Sequence, residues 1–444
     1  MKLIGESKVS ELSELKRNQG AYFDQSIDFS GTVGGVRDLK KFAFVQLLTE
    51  IGLVQLVLES EKFKEAVIKI GGAISVSAIV KKAKLKDQFL SLKEVEFFVT
   101  HLEVNSIPNS AAPMDLTKKE LMIGNDVKFD LRMISLRHPK EAAIFSIQSG
   151  ITSGFRKYFE KMGLTEIRTP KIVAAGAEGG ANIFKLNYFG KDAFLTQSPQ
   201  FYKEFCTAAF GGIYEIAPVF RAEKHNTSRH LSEYTSVDVE IAHIKSFYDI
   251  MEFEVGALRF VMGHLRQNHS HQLEIMGIEL KEIGDIPSIT FKEAKEVLKR
   301  EGIESGEPSD LSPEEEKGLC AFVLEKYDSE LVFVTHYPTS KRPFYAMESS
   351  LNSEETDSFD LLYKGVEITT GGQRIHELAS LTQKMKKRSM DIESFEFFTN
   401  AHKYGLPPHG GFGLGLERFT QKLLNLDSVK LATMFPRDVT RLFP

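Results

Sequence analysis

A charged segment between two strand-like runs carries residues whose types and spacing suit catalysis. It spans residues 219–240 and reads VFRAEKHNTSRHLSEYTSVDVE. Residues two apart share one face of a strand, so Arg221 and Glu223 would lie together on the first run. Asp238 and Glu240 would do so on the second run. Apolar neighbours favour burial, and buried charges need partners, so the pattern indicates a polar floor in which a guanidinium faces carboxylates. A solvated charged hairpin is the alternative.

A second polar cluster lies at residues 358–376, SFDLLYKGVEITTGGQRIH. Asp360 and Glu367 are carboxylates in an apolar context, and Arg374 follows a pair of glycines. Hard oxygen ligands spaced along strands suit Mg²⁺ bound together with a nucleotide. This cluster is therefore a candidate nucleotide-metal site.

Several common catalytic signatures are missing from the chain. The sequence has no Walker-type phosphate loop, no GxGxxG between a strand and a helix, no GxSxG and no HExxH. The glycines of GGFGLGLER, residues 410–418, are by themselves explained equally well by close backbone packing. Two cysteines are too few for a disulfide scaffold or a cysteine-rich zinc site.

The elements that would position these residues fall into two parts. About five strand-like runs and one helix in the first hundred residues predict a small closed barrel such as an OB-fold, assigned to residues 1–106. The stretch IPNSAAP begins a predicted hinge over residues 107–135. From residue 136 to 444, many strands without regular alternation with helices predict an α+β domain on an antiparallel sheet flanked by helices. Helices are predicted near 140–162, 200–210, 246–268, 291–301, 313–327, 377–390 and 415–424. The acidic stretch 303–317 is expected to be a solvated surface insertion.

The composition excludes a uniformly basic nucleic-acid binder but leaves room for a local basic surface. The 444 residues carry 56 Lys and Arg against 61 Asp and Glu, a net charge of −5. Within residues 62–93, eight lysines stand against two acids, which makes this part of the predicted barrel basic. The first residues lack the apolar run of a signal peptide, and no window approaches the roughly 18 apolar residues of a membrane span. We therefore expect a cytoplasmic protein.

Three dispersed segments resemble the motifs of class II aminoacyl-tRNA synthetases. FRAE…RHLSEYTSVDVE resembles motif 2, and GFGLGLERF resembles motif 3. The helix near 140–162 with the following EIRTP, which ends at Pro170, is similar to motif 1, the dimer-forming element. The barrel and the ending MFPRDVTRLFP are similar to the subgroup for aspartate, asparagine and lysine. The resemblance covers essentially the whole chain and implies a homodimer that charges tRNA.

The stretch LTQSPQFYKEF, residues 195–205, resembles the aspartyl enzymes of that subgroup. The resemblance implies that Lys203 and Arg374 receive the side-chain carboxylate of aspartate. Two cations suit a carboxylate, whereas the neutral amide of asparagine should not need them. The other implied aspartate contacts are Ser198, Gln200 and Asp238 around the amino group, and Glu178 in a loop that closes over the amino acid.

The same resemblance implies an ATP site in which no covalent enzyme intermediate forms. Arg221 would bind the α-phosphate and stabilise the charge that develops when the aspartate carboxylate attacks. Asp360 and Glu367 would hold Mg²⁺, with the hydroxyl of Thr370 in addition. The further implied ATP residues are Glu223 and Tyr234 near adenine, where Tyr replaces the more usual Phe, His230 near the γ-phosphate, Arg418 of motif 3, and Arg229, Gly413 and Gly415. Arg221, Glu223, His230 and Arg418 are the residues assigned to catalysis.

The barrel would read the anticodon of tRNA(Asp). Phe44, Gln55 and Glu96 match the family's stacking and base-contacting positions. Thr32 stands where relatives commonly carry an aromatic or His side chain, and the chain has no Trp, the residue of the discriminating form. We interpret this departure as favouring relaxed tRNA choice, with tRNA(Asn) charged as well.

Three other functions are alternatives to that of an aspartate–tRNA ligase. An asparaginyl enzyme of the same class is disfavoured by the two predicted cations. A non-catalytic tRNA-binding paralogue would be expected to lose the ATP-site residues, which are present here. An enzyme that makes asparagine without tRNA would lack the anticodon barrel.

Overall fold

The structure is a computed structural model that describes residues 11–174, 182–224 and 226–443. It divides into two compact units. The first consists of the described residues up to Ala143 together with His271–Ile278, and the second of Ile144–Ser270 and the described residues from Glu279 onward. None of the helices in the described ranges has the length and apolarity that crossing a bilayer requires.

Five strands of the first unit close into the predicted barrel, in the order β1-β2-β3-β5-β4. The closure is a short parallel pairing in which Leu56 of β3 lies opposite Phe97 of β5. Alternate residues point inward, as in β4, where Ile74, Val76 and Ala78 are buried and their neighbours are not. The strands are β1 (Ser26–Asp38), β2 (Phe42–Thr49), β3 (Gly52–Glu59), β4 (Ala73–Lys82) and β5 (Val95–Ser106).

Short helices accompany the barrel, and the segment after it holds more structure than its composition indicates. The side chain of Arg132, within the predicted hinge, is fully buried and donates from Nη1 to Glu141 at 2.8 Å. Lys128 pairs with the same carboxylate at 2.9 Å. Charged residues therefore anchor this segment. Its helices and those near the barrel are α1 (Glu11–Arg17), α2 (Ser60–Glu65), α3 (Asn125–Asp130) and α4 (Arg132–Ser135).

The second unit is built on an eight-stranded sheet in the order β12-β13-β14-β15-β16-β11-β10-β6. The pairings from β13 to β10 are antiparallel, as predicted, and the two outermost pairings are parallel. A separate three-stranded sheet has the order β7-β9-β8. The strands are β6 (Thr165–Glu166), β7 (Ile172–Val173), β8 (Lys185–Tyr188), β9 (Lys191–Leu195), β10 (Gly212–Phe220), β11 (Glu233–Ala242), β12 (Ser288–Thr290), β13 (Leu331–Thr335), β14 (Ser358–Tyr363), β15 (Val366–Gln373) and β16 (His409–Gly415).

The helices predicted from apolar periodicity are confirmed to within a few residues. Capping boxes fix two of their starts, at Thr290 with Glu293 and at Ser312 with Glu315. Two helices that the sequence did not predict are Ser270–Met276 and Glu396–Tyr404, and the second of them precedes β16. The remaining helices are α5 (Pro139–Lys161), α6 (Gln200–Phe210), α7 (Phe247–Asn268), α8 (Ser270–Met276), α9 (Phe291–Arg300), α10 (Pro313–Tyr327), α11 (Leu378–Lys387), α12 (Glu396–Tyr404) and α13 (Leu416–Leu423).

The expectation that the acidic stretch 303–317 is solvated is wrong at its C-terminal end. Glu315 and Glu316 lie in the first turn of α10, and both are buried. Acids are favoured at a helix N-terminus, and here each also finds a cation. Glu315 pairs with Lys295 at 2.8 Å, and Glu316 pairs with Arg229.

Candidate active site

A cavity of about 530 Å³ in the second unit opens over the central strands of the large sheet. Every residue that the sequence predicts to contact the amino acid, ATP or Mg²⁺, and that the structure describes, lines this cavity. Glu178 lies outside the described residues. The predicted residues that line the cavity are Ser198, Gln200, Lys203, Arg221, Glu223, Arg229, His230, Tyr234, Asp238, Asp360, Glu367, Thr370, Arg374, Gly413, Gly415 and Arg418.

Strands β11, β16 and β15 form the floor of the cavity in a fixed register. Asp238 lies opposite Gly413, and Gly413 lies opposite Thr370 on the far side. A Cβ atom on Gly411 would collide with the carbonyl oxygen of Val239 and with the carboxylate of Glu240. The closely spaced glycines of motif 3 therefore leave the space that the acidic side chains of β11 occupy.

Two buried cations meet these acids at one end of the cavity. Nζ of Lys203 lies 3.1 Å from Asp238 and 3.2 Å from Glu240, and only 2% of the lysine side chain is exposed. Nε of Arg374 donates to the other oxygen of Glu240 at 3.0 Å. Burial opposes ionisation of Glu240, but the two cations hold the pKa of that carboxyl below its ordinary value. The cluster is thus two cations held by two carboxylates.

A second polar layer that the sequence did not predict lies beside this cluster. Glu204 accepts from Nε2 of Gln200 at 2.6 Å, and its other oxygen lies 3.3 Å from Nε2 of His409. Burial opposes protonation of His409, yet the carboxylate of Glu204 raises the pKa of the imidazole. Only the i, i+4 spacing of Gln200 and Glu204 on α6 could have signalled this contact.

The opposite end of the cavity holds the residues of motif 2, and here one expectation is corrected. Arg221 and Glu223 lie in the loop after β10, which ends at Phe220, and not on the strand. The N–H of Arg221 still donates to the carbonyl of Ser232, but the ladder ends there because the N–H of Ser232 donates to the carbonyl of Arg437 and not back to Arg221. The guanidinium carbon of Arg221 lies 5.9 Å from the centre of the Tyr234 ring, within reach of a cation–π contact.

Motif 3 and β15 contribute further charged groups at this end. Nη1 of Arg418 donates to the carbonyl of Glu367 at 3.1 Å and lies 3.8 Å from its carboxylate. Arg229 pairs with Glu316 of α10, whose carboxylate also accepts the N–H of Glu367 at 3.1 Å. Glu316 was not predicted as a site residue.

The three predicted metal-binding residues lie together on β14 and β15. Asp360 faces Thr370 across the two strands, and the Thr370 hydroxyl donates to Glu367 at 3.0 Å. Burial raises the pKa of Asp360 to about 6, against the opposing effect of Arg342. Within the described ranges, no three acidic, His or Cys side chains converge as a complete metal site. Two carboxylates and a hydroxyl nonetheless fit Mg²⁺, which keeps several waters and takes its other ligands from phosphate.

Arg342 is a site residue that no pattern in the sequence singles out. Its Nη2 lies 2.7 Å from Asp360, and its guanidinium carbon lies 3.9 Å from the centre of the Tyr337 ring. Nε donates to Ser358 at 3.1 Å. In the sequence, Arg342 follows a lysine and precedes a proline, a context that is typical of a solvated loop.

The predicted anticodon residues lie on neighbouring strands of the barrel in the first unit. Gln55 of β3 donates to Glu96 of β5 at 3.3 Å. Phe44 of β2 is half-buried, between the fully buried Ala43 and Val45, so its ring is on the outer face of the barrel. The ring is therefore accessible for stacking.

This chain is similar over nearly its whole length to known proteins. The family model for class II tRNA synthetases (D, K and N) matches residues 124–439. An aspartate–tRNA(Asp/Asn) ligase of Thermus thermophilus is 39% identical over 97% of this chain and 99% of its own length. An aspartate–tRNA(Asp) ligase of Pyrococcus abyssi is 38% identical over 95% of this chain and 96% of its own. A solved structure with a similar fold is that of the asparaginyl-tRNA synthetase of Pyrococcus horikoshii complexed with asparaginyl-adenylate. The match has a TM-score of 0.87 and 28% identity, and it covers 99% of this chain and 100% of the synthetase chain.

Proposed function

This chain belongs to the class II tRNA synthetases of the D, K and N family, and on that premise we propose that it is an aspartate–tRNA ligase. The observation that carries the choice of amino acid is the charge around Lys203 and Arg374. We assign Asp238 to the ammonium group of the substrate. The two cations then face only one remaining carboxylate, Glu240, so one positive charge is uncompensated. A side-chain carboxylate neutralises that charge, whereas the amide of asparagine leaves it buried and unpaired.

The reaction proceeds in two steps. In the first, an α-carboxylate oxygen of aspartate attacks the α-phosphorus of ATP, the bond to the bridging oxygen breaks, and pyrophosphate leaves. Arg221 binds the α-phosphate and stabilises its developing charge, and the Tyr234 ring beside it packs against adenine. In the second step, a hydroxyl of the 3′-terminal adenosine of tRNA attacks the aspartyl carbonyl, and AMP leaves.

Orientation and charge stabilisation supply most of the catalysis. Asp360, Glu367 and Thr370 would hold Mg²⁺, which neutralises phosphate charge when it is bound. Arg418, His230 and Arg229 surround the rest of the triphosphate, and Glu223, Gly413 and Gly415 complete the ATP site. Ser198, Gln200 and Glu178 complete the aspartate site.

The organisation of the molecule follows from the same assignment. We propose anticodon recognition by residues 1–106 through Phe44, Gln55 and Glu96, a linker over 107–135, and catalysis by 136–444. Stacking of a base on Phe44 would contribute about 1–3 kcal/mol. Family membership also supports a homodimer formed through motif 1 and a cytoplasmic location.

The lysine-rich part of the barrel is expected to contact tRNA phosphates. Lys81, Lys82, Lys84 and Lys86 are exposed. Changing all four to Gln should weaken tRNA binding and make the plot of log affinity against log salt shallower, by about 0.7–0.9 per lost phosphate contact. Fluorescence titrations of tRNA(Asp) at several salt concentrations measure this slope.

A control changes four exposed lysines of the second unit, at 281, 292, 299 and 326, and should leave the slope nearly unchanged. An equal slope in the barrel variant would show that this patch is not the contact.

We expect tRNA(Asn) to be charged with aspartate as well as tRNA(Asp). Thr32 lacks the bulk of the side chains common at its position in relatives, and two kinds of relative, the Asp/Asn and the Asp ligases, are about equally similar to this chain. Aspartylation of both purified tRNAs tests the function and the tRNA choice together. Rates within about tenfold of each other, a difference of about 1.4 kcal/mol, are expected. Charging of tRNA(Asp) alone would refute relaxed choice, and charging of neither would refute the function.

Thr32→Trp provides a second measurement of tRNA choice. The bulky ring should reduce charging of tRNA(Asn) more than charging of tRNA(Asp). An equal reduction for both tRNAs would show that position 32 does not discriminate between them.

A further inference from the structure

Glu316 connects two ATP-site residues without lining the cavity itself. Both Arg229 and Glu367 line the cavity, whereas Glu316 approaches from α10 behind them. One of its oxygens, Oε2, pairs with Nη2 of Arg229 and accepts the N–H of Glu367 at 3.1 Å. A single carboxylate oxygen therefore ties α10 to the loop after β10 and to β15.

The remaining donors of Arg229 point to a ligand. Its Nη1 is buried and has no hydrogen-bond partner within the described part of the chain. A buried, unpaired guanidinium N–H is costly, and a phosphate oxygen is the acceptor that its planar fork suits best. Glu316 holds one nitrogen of the guanidinium, and Nη1, on a residue that lines the cavity, is left without an acceptor among the described residues.

We infer that Glu316 is a positioning residue that orients Arg229 toward the triphosphate of ATP. This inference rests on the proposed function, because it takes the acceptor in the cavity to be ATP. A free arginine side chain samples many rotamers, and a fixed partner removes that disorder before the nucleotide arrives. Glu316 does not line the cavity, so it would act on ATP through its partners, and the Arg229 side chain is the partner to which we assign the effect.

The sign of the expected effect separates positioning from simple electrostatics. As a negative charge near a triphosphate, Glu316 would repel ATP, and its removal would lower the KM for ATP. As a positioning residue it has the opposite effect, and its removal raises that KM. The neighbouring Glu315 offers a matched control. It is also buried in the first turn of α10, but it pairs with Lys295 and is not part of the cavity lining.

The test compares Glu316→Gln with Glu315→Gln in aspartate-dependent ATP–pyrophosphate exchange. Glu316→Gln is expected to raise the KM for ATP about tenfold, as the loss of a charge-assisted hydrogen bond would, and to leave the KM for aspartate within about twofold. Glu315→Gln should lower the thermal midpoint without changing the KM for ATP. In an Arg229→Ala background, Glu316→Gln should have no further effect on that KM.

Two results would overturn the inference. One is a KM for ATP in Glu316→Gln that is unchanged or lower than in the wild type. The other is an equal rise in the Arg229→Ala background. If Glu316→Gln does not fold, Glu316→Asp replaces it, with an expected rise of at least about threefold because the shorter side chain holds Arg229 poorly. A wild-type protein without any aspartate-dependent exchange would instead refute the proposed function.

Discussion

Changing Arg221 to Gln should lower the rate constant of aspartate-dependent ATP–pyrophosphate exchange by about a thousandfold, the upper end of the range for loss of one preorganised donor. Arg221 lies at the start of the loop after β10, beside Tyr234, and in the proposed reaction it faces the phosphorus under attack. Glutamine keeps a donor but removes the charge that meets the developing negative charge. Because that charge is largest in the transition state, kcat should fall much more than the KM for ATP rises.

Steady-state exchange at varied ATP, with aspartate saturating, measures both constants. Arg300→Gln is the control, since this arginine lies exposed at the end of α9 and should be silent. A fall in kcat of less than tenfold for Arg221→Gln would contradict the role assigned to this residue.

Changing Arg374 to Lys should lower kcat/KM for aspartate by about a hundredfold, which is about 2.7 kcal/mol. Lysine keeps the charge but loses the fork through which Arg374 reaches both Glu240 and the carbonyl of Gly411. Glu240 would then keep only Lys203 as a closely paired cation, and the pocket proposed for the substrate carboxylate would lose its geometry. The KM for ATP should change by no more than about twofold, because the proposed nucleotide site is at the other end of the cavity.

Exchange measured at varied aspartate and at varied ATP separates the two ends of the cavity. Arg300→Lys serves as the control. Equal losses for both substrates would indicate a general structural defect, and an unchanged kcat/KM for aspartate would remove Arg374 from the amino acid site.

The sequence predicts local elements well because their signals are local. The periodic apolar residues of α6 and α9 predict helix bounds that the structure reproduces closely, and capping boxes at the starts of α9 and α10 supply a local reason for two of the bounds. The glycine-rich run of β16 does not by itself indicate a function. The need for glycine is visible only in the sheet, where a Cβ atom on Gly411 would occupy the space of the Glu240 carboxylate.

Ion pairs between residues that are far apart in the chain could not be predicted from the sequence. A lysine at the position of Lys203 would ordinarily be expected on the surface, and only the resemblance to a family assigns it to the site. In the structure it is buried between Asp238 and Glu240. Arg342 and Glu316 are missed because each belongs to a charged stretch, and their partners are far away in sequence. The strand expected through Arg221 ends one residue earlier because the N–H of Ser232, which would return the ladder hydrogen bond, donates to the carbonyl of Arg437.

The most direct test of the central claim is the amino acid dependence of ATP–pyrophosphate exchange by the purified chain. With Asp238 assigned to the substrate ammonium group, Lys203 and Arg374 exceed Glu240 by one positive charge. This predicts exchange with aspartate and a kcat/KM for asparagine at least about a hundredfold lower, because the amide leaves that buried charge unpaired. Exchange that is faster with asparagine than with aspartate would contradict the account.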